Sequence, residues 1–261
     1  MSSTDAALVS ARPRLSIDGS VLAALGQAAA ALSVHLPASG MASAELRLIN
    51  WLPNSGGTAD FGFQYLRLGS RLDIVLGETA RSAIFSGDIT ALEERYGDGA
   101  PQLVILAEDA LHKLARSRAS RVFENQGLDA VVRAIASDAG LQADVSIDAG
   151  SADWLQHNES HLAFLLRMLG PHDIPLRLQD GRLRARAEEA DASPVHLDPG
   201  TNARRVRIIA DLNRQPREVL ADGYNLADDA AASGSSAALA PAPSGRTAAA
   251  TLAELGWDGR S

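Results

Sequence analysis

The chain has 261 residues, no cysteine, and 24 basic against 32 acidic side chains, giving a formal net charge of −8. That length holds one or two domains with a proper core. The missing cysteines exclude a disulfide framework, a thiolate metal site and a cysteine nucleophile, and the acidic balance argues against bulk coating of nucleic acid.

Alanine supplies 48 residues and aromatics only 4%, so an aliphatic core is expected. Residues 1–11 are expected to be disordered. The start MSSTDAALVS has neither the basic beginning nor the unbroken apolar stretch of a secretory signal. The apolar run Val21–Leu36 is broken by Gln27, Ser33 and His35, which makes it too weak and short for a membrane span. The expectation is a product made in the cytoplasm without a signal peptide and without a membrane partner.

From residue 12 to 107 the signals are β. Arg14–Ile17 alternates and ends at the turn dipeptide Asp18-Gly19. Ala44–Leu48 and Arg71–Leu76 alternate again, followed by short apolar runs at Ile84-Phe85, Ile89–Leu92 and Leu103–Leu106. Glycine turns fall between them at Gly56-Gly57, Gly69, Gly77 and Gly97–Gly99. This spacing predicts an antiparallel sandwich or barrel.

The period changes over residues 108–190. Ala110, Leu111 and Leu114 share a helical face. Leu128, Val131, Val132 and Ile135 follow the i, i+3, i+4, i+7 pattern, with Gly140 at the C-cap position. Leu162, Leu165, Leu166 and Leu169 repeat it before Gly170-Pro171. Asp180-Gly181 between Ile174–Gln179 and Arg182–Ala187 predicts a hairpin with a type I′ turn. The segment reads as an α/β insertion.

Residues 191–226 carry further strand signals, Arg205–Ala210 and Arg217–Ala221, that faintly echo Ile89–Ala107. Residues 227–250 are low complexity: 11 of 24 are alanine and Leu239 is the only large apolar residue, the composition of a linker or exposed loop. Residues 251–261 form a short element with Leu252, Leu255 and Trp257.

Three groups of residues are candidates for chemistry. His157 and His161 are four apart with His172 nearby, so a helix through 157–161 would present two imidazoles on one face for a metal-dependent hydrolase. Asn158 or Ser160 also fits a helix N-cap, which would leave His157 outside. Asp88, Glu93, Glu94, Glu108 and Asp109 can supply a carboxylate pair for acid–base work, but as charges flanking strands they need no such role. Lys113, Arg116, Arg118 and Arg121 form a basic cluster for a nucleic-acid backbone, yet no stacking aromatics interleave with it. A salt-bridged helix end or a protein interface is the plainer reading. The leading reading therefore assigns no catalytic, cofactor or metal residue.

The order of segments carries a resemblance. Phe85–Glu93, then Leu103–Leu111, Arg121–Asn125, the helix Asp129–Ala136, Trp154–Ser160, Leu162–Leu165 and the Asp180-Gly181 hairpin succeed one another as in the phage late control D family. That family includes the hub proteins of contractile tails and the amino-terminal region of VgrG spike proteins of type VI secretion. The resemblance covers most of residues 12–225.

It implies an α+β, predominantly β chain: a first antiparallel β-barrel (12–107), an α/β insertion (108–190) and the start of a second, incomplete β-barrel (191–226). It also implies a homotrimeric, non-enzymatic baseplate hub that adapts a threefold spike to the sixfold inner tube. The implied partners are further copies of the chain, the trimeric spike, the inner tube protein, and baseplate and LysM-type adaptor proteins. The implied location is a phage tail or injection-system particle. No cofactor follows from it. Hubs of this kind continue well past the point where this chain stops, so a truncation or a short variant completed by a partner is expected.

Overall fold

The alternation at the start of the chain becomes strand β1 (Arg14–Ile17), which turns back through Asp18-Gly19 into β2 (Ser20–Val21). Both turn residues have positive φ, 48° and 79°, as a type I′ turn requires. This is a computed structural model, and it describes residues 13–53, 59–76, 82–187, 196–198, 200, 207, 218–226, 228–236 and 248–256. The fold is α+β and predominantly β. The chain divides into two units, Met1–Pro194 and Val195–Ser261.

In the first unit, α1 (Ala23–Ala28), β3 (Ala29–His35), β4 (Ser43–Ile49), the small pair β5 (Leu52–Pro53) and β6 (Ala59–Asp60), β7 (Arg71–Val75), β8 (Phe85–Arg95) and β9 (Gln102–Glu108) follow in order. Seven strands form one antiparallel sheet in the order β2-β1-β7-β8-β9-β4-β3. The barrel expected here is not closed: β2 and β3 are the two edges of an open sheet among the described residues. β2 is two residues long and runs almost directly into α1, so it presents no ladder for β3 to meet.

The apolar run Val21–Leu36, which has no strand alternation of its own, supplies both α1 and β3. Pairing with β4 imposes the extended form on Ala29–His35. The runs at Phe85 and Ile89–Leu92 merge into a single strand with an irregularity at Ile89/Ala91. Inward positions such as Leu15, Leu46, Leu48, Leu72, Ile74 and Ile105, together with Leu25 of α1, make one hydrophobic cluster. Each such fully buried aliphatic side chain contributes roughly 1.5–3 kcal/mol.

A second cluster gathers around α2 (His112–Arg116), β10 (Arg118–Gly127), α3 (Leu128–Asp138), β11 (Gln142–Ser146), β12 (Ser151–Ser160), α4 (His161–Leu169), β13 (Leu176–Gln179) and β14 (Arg182–Arg186). β10 and β12 form an antiparallel ribbon. β11, β14 and β13 form a three-stranded sheet in which β11 and β14 are parallel.

The predicted stripe on α3, Leu128, Val131, Val132 and Ile135, is wholly buried, and Gly140 stands just past the helix at φ 70°. On α4 the buried set is Leu162, Phe164, Leu165 and Leu169, while Leu166 is only partly covered. Phe164 takes its place by stacking on Phe123 of β10, with ring centroids 5.9 Å apart and planes 8° from parallel. Arg121 caps the pair over Phe123 and Arg167 caps it over Phe164, at 4.5 and 5.5 Å from the ring centroids. The Asp180-Gly181 turn has φ 50° and 74°, the type I′ geometry its sequence predicts.

Hydrogen bonds tie the two clusters together. Gly40 N donates to Leu176 O at 2.7 Å, Leu176 N donates to Ser39 Oγ at 3.0 Å, and Met41 packs against the second cluster.

In the second unit, β15 (Val219–Asn225) and β16 (Ala230–Ser236) form an antiparallel hairpin, and α5 spans Ala248–Leu255. Residues 230–236 were expected in a linker or loop; they are strand. Alanine, serine and glycine bury little side chain, but their backbone groups pair fully with β15, and that pairing does not need large apolar residues. Tyr224 and Asn225 donate from their side chains to Asp229 and Asp228 at the turn. The expectations for residues 1–11, Gly56-Gly57, Gly77, the strand Arg205–Ala210 apart from Arg207, Arg217 and Trp257 lie outside the described residues.

Candidate interaction surface

The three histidines are not brought together. Ser160 Oγ accepts from Ala163 N at 3.1 Å and so caps α4, whose first residue is His161. His157 therefore lies on the exposed part of β12, and His172 ends the short 3₁₀ turn Gly170–His172. The i, i+4 helical pairing fails because the helix starts between its members. Among the described residues no group of three or more histidines and carboxylates can hold a metal ion.

His161 Nδ1 lies 3.0 Å from Nε2 of the fully buried Gln156. Burial pushes the imidazole below its usual pKa and the Arg121 charge pushes it further, with Asp138 opposing.

The carboxylates separate into different jobs. Glu93 pairs with Arg95 at 2.8 Å, which holds its carboxyl below the ordinary range, and Glu94 accepts from the Tyr96 hydroxyl. Asp88 stands opposite Glu108 in the β8–β9 ladder, with its Oδ2 3.0 Å from Nε2 of the buried His112.

Asp109 is 4% exposed. Its two oxygens accept from Ala42 N and Leu111 N at 2.9 Å each, while its own N–H donates to Ala42 O at 3.0 Å. Burial raises its pKa against those two N–H bonds. Asp88–His112 and Asp109–Ala42 act as fasteners where the large sheet meets α2.

The basic cluster also divides. Arg118 donates to the Asn158 carbonyl and Arg121 pairs with Asp138 at 2.8 Å, while Lys113 and Arg116 sit exposed on α2.

A surface that sequence reasoning missed lies at one end of the seven-stranded sheet. Ile49 and Arg95 both pair with Gln102, so the links leaving β4 and β8 emerge side by side. There Trp51, Phe61 and Tyr96 meet edge to face, with centroids 5.4 and 5.9 Å apart. Trp51 is 44% and Tyr96 62% exposed, and Ile49 adds a further exposed apolar side chain. Large, stiff rings held in solvent are the composition of protein-interface anchors. The residues stand 10 and 35 positions apart in sequence, so only the strand register brings them together.

Residues 13–257 match the family described as the Alg8 N-terminal domain. The chain belongs to the Alg8 N-terminal domain family. No curated protein matches it by sequence.

Among solved structures, this Alg8 N-terminal domain is similar to the 43 kDa tail protein of prophage MuSo2 from Shewanella oneidensis. The TM-score is 0.62 at 13% identity, over 97% of this chain and 72% of that one. The tail protein from Neisseria meningitidis MC58 gives 0.57 at 14% identity, over 88% and 68%. Prophage tail protein gp18 from Listeria monocytogenes EGD-e gives 0.54 at 9%, over 86% and 67%. At these identities the likeness is one of fold: the Alg8 N-terminal domain has the fold of phage tail proteins.

Proposed function

We propose that this protein is a structural part of a phage tail or contractile injection system, and that within it the chain is the baseplate hub between a trimeric spike and the hexameric inner tube. The observation that carries the reading is the match of nearly the whole chain to the fold of the 43 kDa tail protein of prophage MuSo2. Kinship with the late control D hubs, a homotrimeric state, and contacts with tube, spike and LysM-type adaptor proteins are the finer parts of the proposal. So is incorporation into the particle, with no bond made or broken.

The build of the first unit supports such a role. Two hydrophobic clusters fastened by Ser39, Gly40, Asp109 and the Asp88–His112 pair give a body that resists shear. The aromatic end of the sheet offers it contact area. A symmetry adaptor works through surfaces held at fixed angles, so rigidity is the property it needs.

The test is co-expression with candidate spike and tube proteins from the same genome, followed by native mass measurement. A complex holding three copies of the chain is expected. A strict monomer that joins neither partner would overturn the proposal.

A further inference from the structure

The link from β3 to β4, the start of β8 and the tip of the β13–β14 hairpin come together around an open cleft of about 450 Å³. Its walls are aliphatic: Leu36 and Ile84 are 58% and 37% exposed, and Leu178 of β13 is half-buried. Phe85 and Asp109 are the buried members of the lining, at 3% and 4% exposure, and so form its floor.

A carboxylate is a costly group to place on such a floor. Each oxygen of Asp109 accepts one backbone N–H, from Ala42 and from Leu111. A carboxylate offers about four lone-pair sites, so each oxygen keeps acceptor capacity. Among the described residues Asp109 makes no ion pair. Burial raises its pKa, Glu108 adds to the rise, and the two N–H bonds and His112 only oppose it. The His112 ring directs its Nε2 to Asp88 instead.

The rim has the same sign. Asp180 at the hairpin tip is exposed, and among the described residues it too makes no ion pair. The base in the lining is Arg71, whose Nε lies 3.4 Å from Asp73 Oδ1. Two carboxylates therefore line the cleft against a guanidinium that a third carboxylate already holds.

We propose that this cleft receives an arginine side chain of a partner protein. The aliphatic stem of arginine suits the walls at Leu36, Ile84 and Leu178, while its guanidinium supplies the N–H donors that Asp109 still accepts, with Asp180 at the mouth. Guanidinium is more weakly hydrated than an ammonium, so arginine gives up its water beside Phe85 at lower cost than lysine does. An apolar side chain would cover the Asp109 carboxylate without pairing it, and an acidic one would add like charge. The cleft lies at the Phe85 end of β8, away from the aromatic end near Arg95, and does not depend on the hub reading.

The test is titration of the ¹⁵N-labelled full chain with the capped peptide Ala-Ala-Arg-Ala-Ala, followed by amide chemical shifts. Saturable shifts confined to the residues around the cleft, Ile84, Asp180 and Gly181 among them, are expected. The same peptide with citrulline, a neutral near-isostere of arginine, or with leucine at the central position should bind at least about tenfold more weakly.

Asp109→Asn should abolish saturable binding. Asp180→Asn, which the turn accepts at φ 50°, should weaken it about threefold. Asp98→Asn, the same charge change in the link between β8 and β9, should leave it within about twofold. All three variants are checked by circular dichroism. If Asp109→Asn fails to fold, Asp180→Asn combined with Leu36→Ser at the exposed wall carries the comparison. Absence of saturable shifts, equal binding of either control peptide, unchanged binding by a folded Asp109→Asn chain, or equal loss in Asp98→Asn and Asp180→Asn would each overturn the proposal.

Discussion

Gly87 sits inside β8, buried, between Leu72 of β7 and the start of the ladder to β9. A methyl group there would overlap the carbonyl oxygen of Glu108 and stand 2.7 Å from both its carbonyl carbon and Cζ of Phe85. Neither neighbour can retreat cheaply. The Glu108 backbone is held on both sides by pairing with Ser43 and Asp88, and the next residue, Asp109, is fixed by hydrogen bonds to Ala42, Leu111 and His112. Phe85 is 3% exposed within the core cluster.

Gly87→Ala must therefore move strands, not a side chain, and overpacking of that kind costs about 3 kcal/mol, the upper part of its usual range. For a chain of this size that is a fall in Tm of roughly 6–12 °C. Thermal and urea unfolding followed by circular dichroism measures it. Gly97→Ala is the control: its Cβ meets nothing within 4 Å, and the expected change is within about 0.5 kcal/mol or slightly stabilising. Adding Phe85→Leu to Gly87→Ala should recover only part of the loss, because the backbone obstacle remains. A Gly87→Ala chain that melts within a degree of the parent, or no lower than Gly97→Ala, refutes the close-approach argument.

Asp109→Ala strips the acceptors from Ala42 N and Leu111 N and is expected to cost about 2–4 kcal/mol by urea unfolding. Because burial raises the Asp109 pKa, the folded chain holds that proton more tightly than the unfolded one. Its contribution to stability is present below the ordinary carboxylate pKa and fades as pH rises through the folded value, so Asp109→Asn should flatten that limb of the profile.

His161 is shifted the other way, by burial and then by Arg121. Its contribution is present above the ordinary imidazole pKa and is lost as pH falls below it. Urea midpoints taken from about pH 7 to pH 5 should drop less in His161→Gln. Arg167→Ala removes the cap on Phe164 and the partner of Glu159, both near the surface, and should cost only about 1 kcal/mol in the same assay.

Where local pattern and tertiary demand agree, the elements were legible beforehand. Asp18-Gly19 and Asp180-Gly181 announce their turns because few other dipeptides accept two positive φ values. The stripe on α3 announces its buried face, since 3.6-residue periodicity puts Leu128, Val131, Val132 and Ile135 on one side whatever they pack against. Asn158 and Ser160 each fit a cap that leaves His157 outside the helix, and the structure uses Ser160.

The rest depends on partners far along the chain. Ala29–His35 and Ala230–Ser236 carry almost no side-chain signal and are strands because β4 and β15 offer them backbone partners. The open edges of the large sheet follow from how short β2 is, which no alternation reports. The aromatic end is assembled by strand register across tens of residues. Chemical type is written residue by residue, but adjacency between strands is settled only when backbone hydrogen bonds choose their partners.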